Sequence, residues 1–365
     1  MSKPKVVVAM SGGVDSSVAA CLLCEQGYEV LGLFMRTGTE AVGSPVEAGG
    51  RSHQGCCSAV DAGDARFVAG MLGIGFYALN FERDFDRIIE YFVDEYQSGR
   101  TPNPCVVCNS DLKFGKIIDY ADAVGAQYIA TGHYARIDRR DAQPRLCRAA
   151  DTDKDQSYVL FGIGPKVLER ILLPVGGLTK DQVRQEAARF NLPVCDKPDS
   201  VEICFVPDRN YARLVRERRP EAFVPGEVRD EEGAVLGRHE GVPNFTIGQR
   251  RGLGIAAGQP IYVTRLNVLD NTVTVGPQEA LLRRRFVVKG INLLIDPDGE
   301  RFGADVQIRY HHQASSADVT LIGDGQADVT FDRAQPAITP GQAAVFYDGD
   351  QVIGGGWIDT VFDDA

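Results

Sequence analysis

The stretch that most constrains this chain runs from Val6 to Leu23 and reads VVVAMSGGVDSSVAACLL. A β-branched run, a Gly- and Ser-rich turn and an alanine- and leucine-rich segment predict a strand, a tight loop and a helix in that order. The bare backbone amides of such a loop and the N-terminus of the helix together form a cradle for a phosphate group. The loop is not a Walker A motif, because that motif requires a lysine and this loop has none.

Strands and helices alternate through the first half of the chain. The periodicity predicts strands at 5–10, 28–35, 75–79 and 126–135 and helices at 14–26, 59–72, 83–97 and 112–124. Strands that alternate with helices predict a parallel, doubly wound α/β sheet. Residues 37–55 lack periodicity and are rich in Gly, Ser and Ala, so we expect a mobile loop beside the carboxyl edge of this sheet.

The second half of the chain has a different pattern. Helical periodicity at 209–218 is followed, beyond residue 225, by short strands separated by turn signals such as VLDNTVTVG and LIGDGQADVTF. Their spacing is typical of a small β-barrel or sandwich. With 365 residues, of which 44% are hydrophobic, the chain is long enough for two or three packed domains.

Composition narrows the functional class. No stretch approaches the ~18–20 apolar residues of a membrane span, and MSKPK leads directly into the first strand, so we expect a cytoplasmic protein without a membrane partner. Nine cysteines, an odd number in a long chain, favour thiols over a disulfide scaffold. The net charge of −11 argues against a nucleic-acid partner, although Arg clusters at 213–221, 248–252 and 281–290 are suited to phosphates. A solvated surface is the alternative interpretation of each cluster.

The loop SGGVDS at 11–16 resembles the S-G-G-x-D-S motif of the PP-loop ATP pyrophosphatases. That superfamily cleaves ATP between the α and β phosphates and transfers AMP to a substrate oxygen. The resemblance implies that Gly12 and Gly13 let the backbone approach the pyrophosphate and that Asp15 helps to arrange ATP and its Mg²⁺. The loop alone does not name a reaction, because amide-forming and sulfur-inserting enzymes share it.

A second motif brings thiols into the pattern. Cys105 and Cys108 form a C-x-x-C motif within GRTPNPCVVCNSDLKFG, and Cys204 follows in DKPDSVEICFVPD. Two prolines and two asparagines before the predicted helix form a rigid turn, so we expect both thiols near a helix N-terminus. The helix dipole there lowers the pKa of a thiol and favours the thiolate. This context favours a chemical role over a structural one.

Seven segments resemble the tRNA-specific 2-thiouridylases in order and spacing: MSGGVDSS, TPNPCVVCNSDLKFG, ATGHYA, DKDQSYVLFG, DSVEICFVP, FTIGQRRGLGI and IRY. That family adenylates the C2 oxygen of the uridine at the first anticodon position of tRNA. It then replaces this oxygen with sulfur from a sulfur-relay or cysteine desulfurase protein. The resemblance implies a PP-loop domain with the adenine nucleotide α-hydrolase-like fold at 1–205, a small linker domain at 206–278 and a tRNA-binding β-barrel at 279–365.

The resemblance also assigns roles to residues. The implied ATP contacts are Ala9, Met10, Ser11, Gly12, Gly13, Val14, Asp15, Ser16, Ser17, Met35 and Gly132. The implied tRNA contacts are Asn103, Pro104, Cys105, Lys154, Asp155, Gln156, Arg309 and Tyr310. Cys108 resembles the family nucleophile and Cys204 the persulfide carrier, so that one thiol carries the terminal sulfur and the other releases it by forming a disulfide.

Cys105 leaves two interpretations open. Some members of the family have Asp at this position, and that carboxylate has been assigned acid/base duties that a thiol performs imperfectly. Alternatively, Cys105, Cys108 and Cys204 are three ligands, which suits a [4Fe–4S] cluster with one iron open to bind sulfide. The sequence is compatible with both routes.

Other features have simpler interpretations. His133 lies at the carboxyl end of a predicted strand, the edge where ligands of open α/β sheets bind, which favours a functional role. Cys21, Cys24, Cys147 and Cys195 are expected to be packing or surface residues, the pair Cys56–Cys57 to be structural, and the pair His311–His312 to lie on a solvent-facing strand. Two other functions are alternatives to thiolation. An amide-forming ligase related to NAD or GMP synthetase would not need Cys108 or Cys204, and a nucleotide-sensing RNA-binding module would tolerate loss of all three thiols.

Overall fold

In the computed structural model of the chain, residues 3–38, 58–141, 143–199, 203–255 and 258–363 are described. Their contacts group them into two units. The first unit comprises Met1–Ile88, Cys105–Arg209 and Asp350–Val352, and the second comprises Ile89–Pro104, Asn210–Gly349 and Ile353–Ala365. The predicted loop at 37–55 lies, beyond residue 38, outside the described residues, as does the pair Cys56–Cys57.

A five-stranded parallel sheet forms the centre of the first unit. Its strands, in spatial order, are β3 (Gly75–Asn80), β2 (Glu29–Arg36), β1 (Lys5–Ala9), β4 (Tyr128–Ala130) and β7 (Ile171–Leu172). All four neighbouring pairs are parallel. The order of the strands reverses between β1 and β4, so the loops that leave these two strands lie side by side at one edge. The predicted doubly wound parallel sheet is confirmed.

Eight α-helices accompany the strands in the described residues. They are α1 (Val14–Glu25), α2 (Ala59–Leu72), α3 (Glu82–Gln97), α4 (Pro104–Val107), α5 (Ile117–Ala123), α6 (Pro165–Leu168), α7 (Lys180–Arg189) and α8 (Tyr211–Arg218). The apolar run of α1 explains its burial, since Val18, Ala19 and Leu23 are all at most 1% exposed in the core beneath the sheet. Cys21 belongs to the same core, which confirms its predicted packing role.

The predicted helix at 112–124 is present, but its first residues do not belong to an α-helix. A π-helix (Cys108–Lys116) precedes α5 there. A Cβ on Gly115 would lie 3.1 Å from the carbonyl oxygen of Ser110, so glycine permits the close approach that this wider turn requires. Ser110 also donates its hydroxyl to the carbonyl of Val106 at 3.0 Å, a bond that competes with regular helix geometry. Hydrophobic periodicity does not distinguish this helix type, and π-helical turns are frequent at functional sites.

The second unit contains two β structures. A four-stranded sheet has the order β10 (Tyr262–Asn267), β11 (Thr272–Gly276), β8 (Gly226–Arg229) and β9 (Val235–His239). A six-stranded barrel has the order β12 (Leu282–Leu293), β15 (Gln326–Pro336), β14 (Ser315–Gly323), β13 (Arg301–Gln307), β16 (Ala343–Asp348) and β17 (Gln351–Val361). The barrel closes because β12 also pairs with β17. The predicted C-terminal β-barrel is thereby confirmed.

Two smaller features complete the fold. A hairpin of β5 (Arg136–Asp138) and β6 (Arg145–Cys147) pairs with Gln351 in the first unit. His311 and His312 lie in the turn after β13, so the strand predicted for them is wrong. None of the helices among the described residues is long and apolar enough to cross a membrane.

Gly132, in the loop after β4, offers a test of how closely that loop must approach α1. A Cβ at this position would lie 2.6 Å from the Ser16 backbone nitrogen. We expect Gly132→Ala to lower the free energy of unfolding by about 1–3 kcal/mol, because backbone atoms cannot yield as a flexible side chain can. Gly177→Ala is the control, since nothing lies within 4 Å of its Cβ. Equal urea midpoints for the two variants would contradict the expectation.

Candidate functional site

The loop between β1 and α1 has the features of an anion site. Gly13 is the N-cap of α1, and no side chain caps this helix. The hydroxyl groups of Ser16 and Ser17 donate to the Gly13 carbonyl at 3.2 and 2.8 Å, and the Ser11 amide donates to the Ser16 hydroxyl at 3.1 Å. The serines therefore hold the loop closed on itself, and the first-turn amides of α1 can face a phosphate.

The predicted nucleotide contacts come together at one edge of the sheet. Ala9 ends β1, Met35 lies near the end of β2, and Gly132 follows the end of β4. Because these strands are parallel neighbours, their carboxyl ends share one edge. Residues 9–17, Met35 and Gly132 thus belong to one region of the first unit.

Gly12 and Lys197 connect this loop to α2. Gly12 has φ +72°, and a Cβ there would lie 2.2 Å from the carbonyl oxygen of Asp61, so only glycine fits. Lys197 donates to the Gly12 carbonyl at 3.0 Å, to Asp61 at 2.6 Å and to Asp64 at 2.7 Å. Burial opposes the charge of Lys197, but the hydrogen bonds to these carboxylates hold its pKa above the ordinary value. Lys197 fixes the loop conformation from outside the motif.

Asp15 is the acidic side chain of the loop and is already in contact with a cation. Lys180 donates to its two oxygens at 2.8 and 3.0 Å, and the Tyr134 hydroxyl donates to it at 2.7 Å. Burial raises the pKa of Tyr134, and the Asp15 carboxylate adds to this effect, so the phenol stays protonated and remains a donor. The positive charge of Lys180 at Asp15 shows that this position favours a cation, which fits the Mg²⁺ that accompanies ATP.

His133 lies in the same loop as Gly132 but is 9% exposed. One of its ring nitrogens, Nδ1, shares a hydrogen bond of 2.7 Å with the Thr131 hydroxyl. Burial lowers the pKa of His133 well below its usual range, and the charge of Lys113 adds to this shift. The imidazole is therefore neutral at pH 7 and suited to hydrogen bonding rather than to holding charge.

The three cysteines of interest all belong to the first unit. Cys105 is exposed in α4, whereas Cys108 begins the π-helix and is half-buried. Cys204 is half-buried in a turn. The next residue, Phe205, packs edge-on against Phe85, with the two ring centroids 5.7 Å apart. The helix-dipole expectation needs a correction for Cys108. The helical run begins at Pro104, so only Cys105 lies in the first turn, where the dipole acts.

Metal ligation was the alternative use of these thiols. Within the part of the chain that the structure describes, no group of three His, Cys, Asp or Glu side chains is placed to hold a metal ion. Cys105, Cys108 and Cys204 do not form a three-ligand site in this arrangement.

The predicted tRNA contacts differ in their exposure. Lys154 is 40% exposed in its side chain and pairs with Asp199 at 2.7 Å. Asp155 is 9% exposed in its side chain and accepts hydrogen bonds from Ala149, Ser157 and Arg148 at 2.7–3.1 Å. Of this pair, Lys154 has the side chain that is more exposed to solvent.

Other predicted contacts are held by backbone interactions. Gln156 accepts a hydrogen bond from the Tyr134 amide at 2.9 Å. Arg309 and Tyr310 lie in the turn after β13, where both carbonyls accept hydrogen bonds from Gln307 at 3.0 and 2.7 Å. Asn103 and Pro104 belong to the second unit. Arg309 and Tyr310 belong to the second unit as well, whereas Lys154 belongs to the first.

The Arg clusters are not equivalent. Arg219 pairs with Glu90 at 2.6 Å, and Arg285 and Arg283 pair with Asp328 and Asp363 at 2.7 and 2.9 Å. Arg250 and Arg251 are exposed, and no ion pair among the described residues includes either of them. Their charges are therefore the least compensated of the three clusters.

Sequence reasoning missed four residues that contact the loop or its partners: Tyr134, Lys180, Lys197 and Asp199. Lys180 offered one signal, because it occupies the first position of α7, where the helix dipole disfavours a cation. Its contacts with Asp15 and with Asp199 offset that cost. Tyr134 and Asp199 lie within segments that carry the family resemblance, but no local pattern indicates the contacts that these two residues and Lys197 make.

Lys197 provides a test of the loop clamp. We expect Lys197→Met to lower the free energy of unfolding by about 3–5 kcal/mol, because it leaves Asp61, 4% exposed in its side chain, without its cation. The control Lys166→Met removes an exposed lysine from the same unit and should change stability little. Urea unfolding gives both values. A loss for Lys197→Met no larger than that of the control would overturn the clamp.

Comparison with known proteins gives full-length matches. Residues 4–208 match the family model described as a tRNA methyl transferase HUP domain, residues 213–277 a tRNA methyl transferase PRC-barrel domain, and residues 283–358 an aminomethyltransferase β-barrel domain. The chain is 47% identical to the tRNA-specific 2-thiouridylase MnmA of Carboxydothermus hydrogenoformans, covering 98% of each chain. It is 48% identical to the protein of the same name from Chloroflexus aggregans, covering 97% of this chain and 98% of the relative.

Proposed function

The chain belongs to the tRNA-specific 2-thiouridylase family, and we propose that it converts the uridine at the first anticodon position of tRNA to 2-thiouridine. The observation that carries this proposal is the uncapped N-terminus of α1 at the switch point of the sheet, in the same unit as the C-x-x-C motif and Cys204. An amide-forming ligase needs the loop but not the thiols. Full-length identity of 46–48% to thiouridylases also favours thiolation over that alternative.

ATP activates the uridine in the first stage. The C2 oxygen is a poor leaving group, so it attacks the α phosphorus and pyrophosphate departs, which leaves the oxygen as an AMP ester. The loop amides and the α1 N-terminus would hold the phosphates, and Asp15 would hold Mg²⁺, which neutralises phosphate charge. Gly12 and Gly132 keep side chains out of the space around the loop. Tyr134 and Lys197 orient the loop through the hydrogen bonds described above.

Sulfur replaces the activated oxygen in the second stage. We assign the persulfide to Cys204: its terminal sulfur attacks C2 and forms a carbon–sulfur bond. Cys108 then attacks the inner sulfur, the sulfur–sulfur bond breaks, and its electron pair goes to the sulfur on C2. AMP leaves as the C2–sulfur double bond forms. The resulting Cys108–Cys204 disulfide requires two electrons from a thiol reductant before the next cycle.

Cys105 and the sulfur donor complete this assignment. We assign Cys105 a place beside the target base with Asn103 and Pro104, rather than the role of a metal ligand. The persulfide route requires only that Cys108 and Cys204 react with each other, whereas the [4Fe–4S] route requires all three thiols at one metal site. A sulfur-relay or cysteine desulfurase protein would load Cys204. A tRNA substrate agrees with the cytoplasmic location expected from the sequence.

We also propose that the three predicted domains have different roles. Residues 1–205 would carry adenylation and sulfur transfer, 206–278 would form the linker domain, and 279–365 would bind tRNA together with Lys154, Asp155, Gln156, Arg309 and Tyr310. Shape and phosphate contacts are the usual mode of recognition for a tRNA stem, and they suit arginine better than base reading does.

Cysteine variants separate activation from sulfur transfer. Cys108→Ser and Cys204→Ser should still release pyrophosphate with unmodified tRNA, because the phosphate loop is intact. Neither should yield 2-thiouridine, since a hydroxyl cannot carry or release sulfane sulfur. Thionucleoside content of digested tRNA and pyrophosphate release measure the two stages. Thiolation by Cys204→Ser at the wild-type rate would refute the assignment.

Cys105→Asp distinguishes the two sulfur routes. Under the persulfide route this variant retains thiolation and the protein binds no iron. Under the cluster route, activity follows iron content and falls with it. Both are measured on anaerobically purified protein, with Cys195→Ser as the control, since Cys195 lies outside the three thiols. Iron-dependent activity in the wild type would replace the persulfide assignment.

Arg variants test the tRNA surface. We expect Arg250→Gln with Arg251→Gln to weaken tRNA binding and to reduce its salt slope by roughly one unit for each lost phosphate contact. Arg283→Gln with Arg285→Gln should reduce it less, because Asp363 and Asp328 already compensate these charges. Filter binding from 50 to 300 mM salt, roughly the range over which such slopes are resolved, gives the comparison. Equal salt slopes for the two double variants would show that ion pairing within the protein does not determine which arginines contact tRNA phosphates.

A further inference from the structure

One carboxylate, Asp199, lies between the phosphate loop and a predicted tRNA contact. Its Oδ1 lies 2.6 Å from the Nζ of Lys180, which also contacts both oxygens of Asp15 at 2.8 and 3.0 Å. Its Oδ2 accepts a hydrogen bond from Lys154 at 2.7 Å. Four charged groups from four separate segments therefore form one chain: Asp15, Lys180, Asp199 and Lys154. Arg184 is a more distant neighbour, 3.9 Å from Asp199.

The charges in this chain do not balance independently. Two carboxylates share the ammonium of Lys180, whose side chain is 11% exposed, so each holds only part of its charge. Lys154 compensates the rest of the negative charge of Asp199. Burial disfavours the charge on Asp199, but the hydrogen bonds from Lys154 and Lys180 hold its pKa below the usual value. The hydrogen bond to Asp199 in turn raises the pKa of Lys154.

We propose that Asp199 is a positioning residue that couples nucleotide binding to tRNA binding by holding Lys154 until the nucleotide arrives. The inference rests on the proposed function, in which Asp15 serves the nucleotide and Lys154 contacts tRNA. When Asp15 turns to the magnesium of the nucleotide, Lys180 is left to Asp199 alone. The ion pair between Asp199 and Lys154 then weakens, and the ammonium of Lys154 becomes available to a phosphate of tRNA. Nucleotide should therefore tighten tRNA binding.

Linkage makes this coupling measurable. If nucleotide strengthens tRNA binding by some factor, tRNA must strengthen nucleotide binding by the same factor. The probe is α,β-methylene-ATP with Mg²⁺, which occupies the loop without being cleaved between the α and β phosphates. We expect the wild-type protein to bind tRNA roughly 5- to 50-fold more tightly with the probe than without it, within the usual range of coupling between sites.

Asp199→Asn gives a result that simple damage would not. Without the carboxylate, Lys154 is available at all times, so tRNA should bind more tightly than in wild type when no nucleotide is present, and the probe should add little. The control Asp196→Asn removes the same charge from an exposed position in the same segment, so it measures the general electrostatic gain. Asp199→Glu keeps the charge and should restore part of the coupling.

A variant at a second position tests the proposal even if Asp199→Asn fails to fold. Lys154→Met removes the other end of the pair from a side chain that is 40% exposed. It should leave tRNA affinity at the nucleotide-free level whether or not the probe is present. Wild-type coupling in Asp199→Asn or in Lys154→Met would overturn the inference, as would a wild type whose tRNA affinity ignores the probe. Failure of the proposed function would look different, because the wild type would then bind tRNA in neither state or would form no 2-thiouridine.

Discussion

The positive end of α1, which no side chain caps, is the feature on which the site of the first unit depends. A helix N-terminus without a cap is costly unless water or a ligand satisfies its amides. This one is held in place by contacts from distant parts of the chain: Lys197 fixes Gly12, Gly132 approaches Ser16 closely, and Lys180 holds Asp15. The parallel sheet contributes its strand order, which brings the loops after β1 and β4 together.

Much of this architecture could be predicted from local sequence. The bounds of α2 agree with the predicted 59–72, because Ser58 and Asp61 form a capping box and Gly73 ends the helix in the left-handed conformation. The strand, loop and helix at residues 5–25 follow from the change of β-branched residues to glycine and then to alanine and leucine. Such signals act over a few residues, so the sequence reports them directly. The site loop was found for the same reason.

The missed features share a different cause, since they depend on contacts between distant segments. Lys180 and Lys197 reach the loop from more than 160 residues away. The position of Lys180 at the start of α7 indicates that it needs a negative partner but not which one, and no local pattern in DKPDS indicates the contact of Lys197. The clusters of Arg were visible in the sequence, but their partners Asp328 and Asp363 were not, so charge alone did not show which arginines are compensated. The assignment of individual contacts to ATP and tRNA remains a prediction that the experiments above address.

Closure of the barrel has a consequence for how the second unit gains its stability. β12 pairs with β15 on one side and with β17 on the other, and Phe286 lies opposite Val361 across the second seam. Joining segments so far apart in the chain costs loop-closure entropy before their contacts form, which slows folding. In an open sheet an outer strand can fray alone, but in a ring every strand has two neighbours, so loosening one opens two seams. The barrel should therefore exchange its amide hydrogens as a single cooperative block rather than strand by strand.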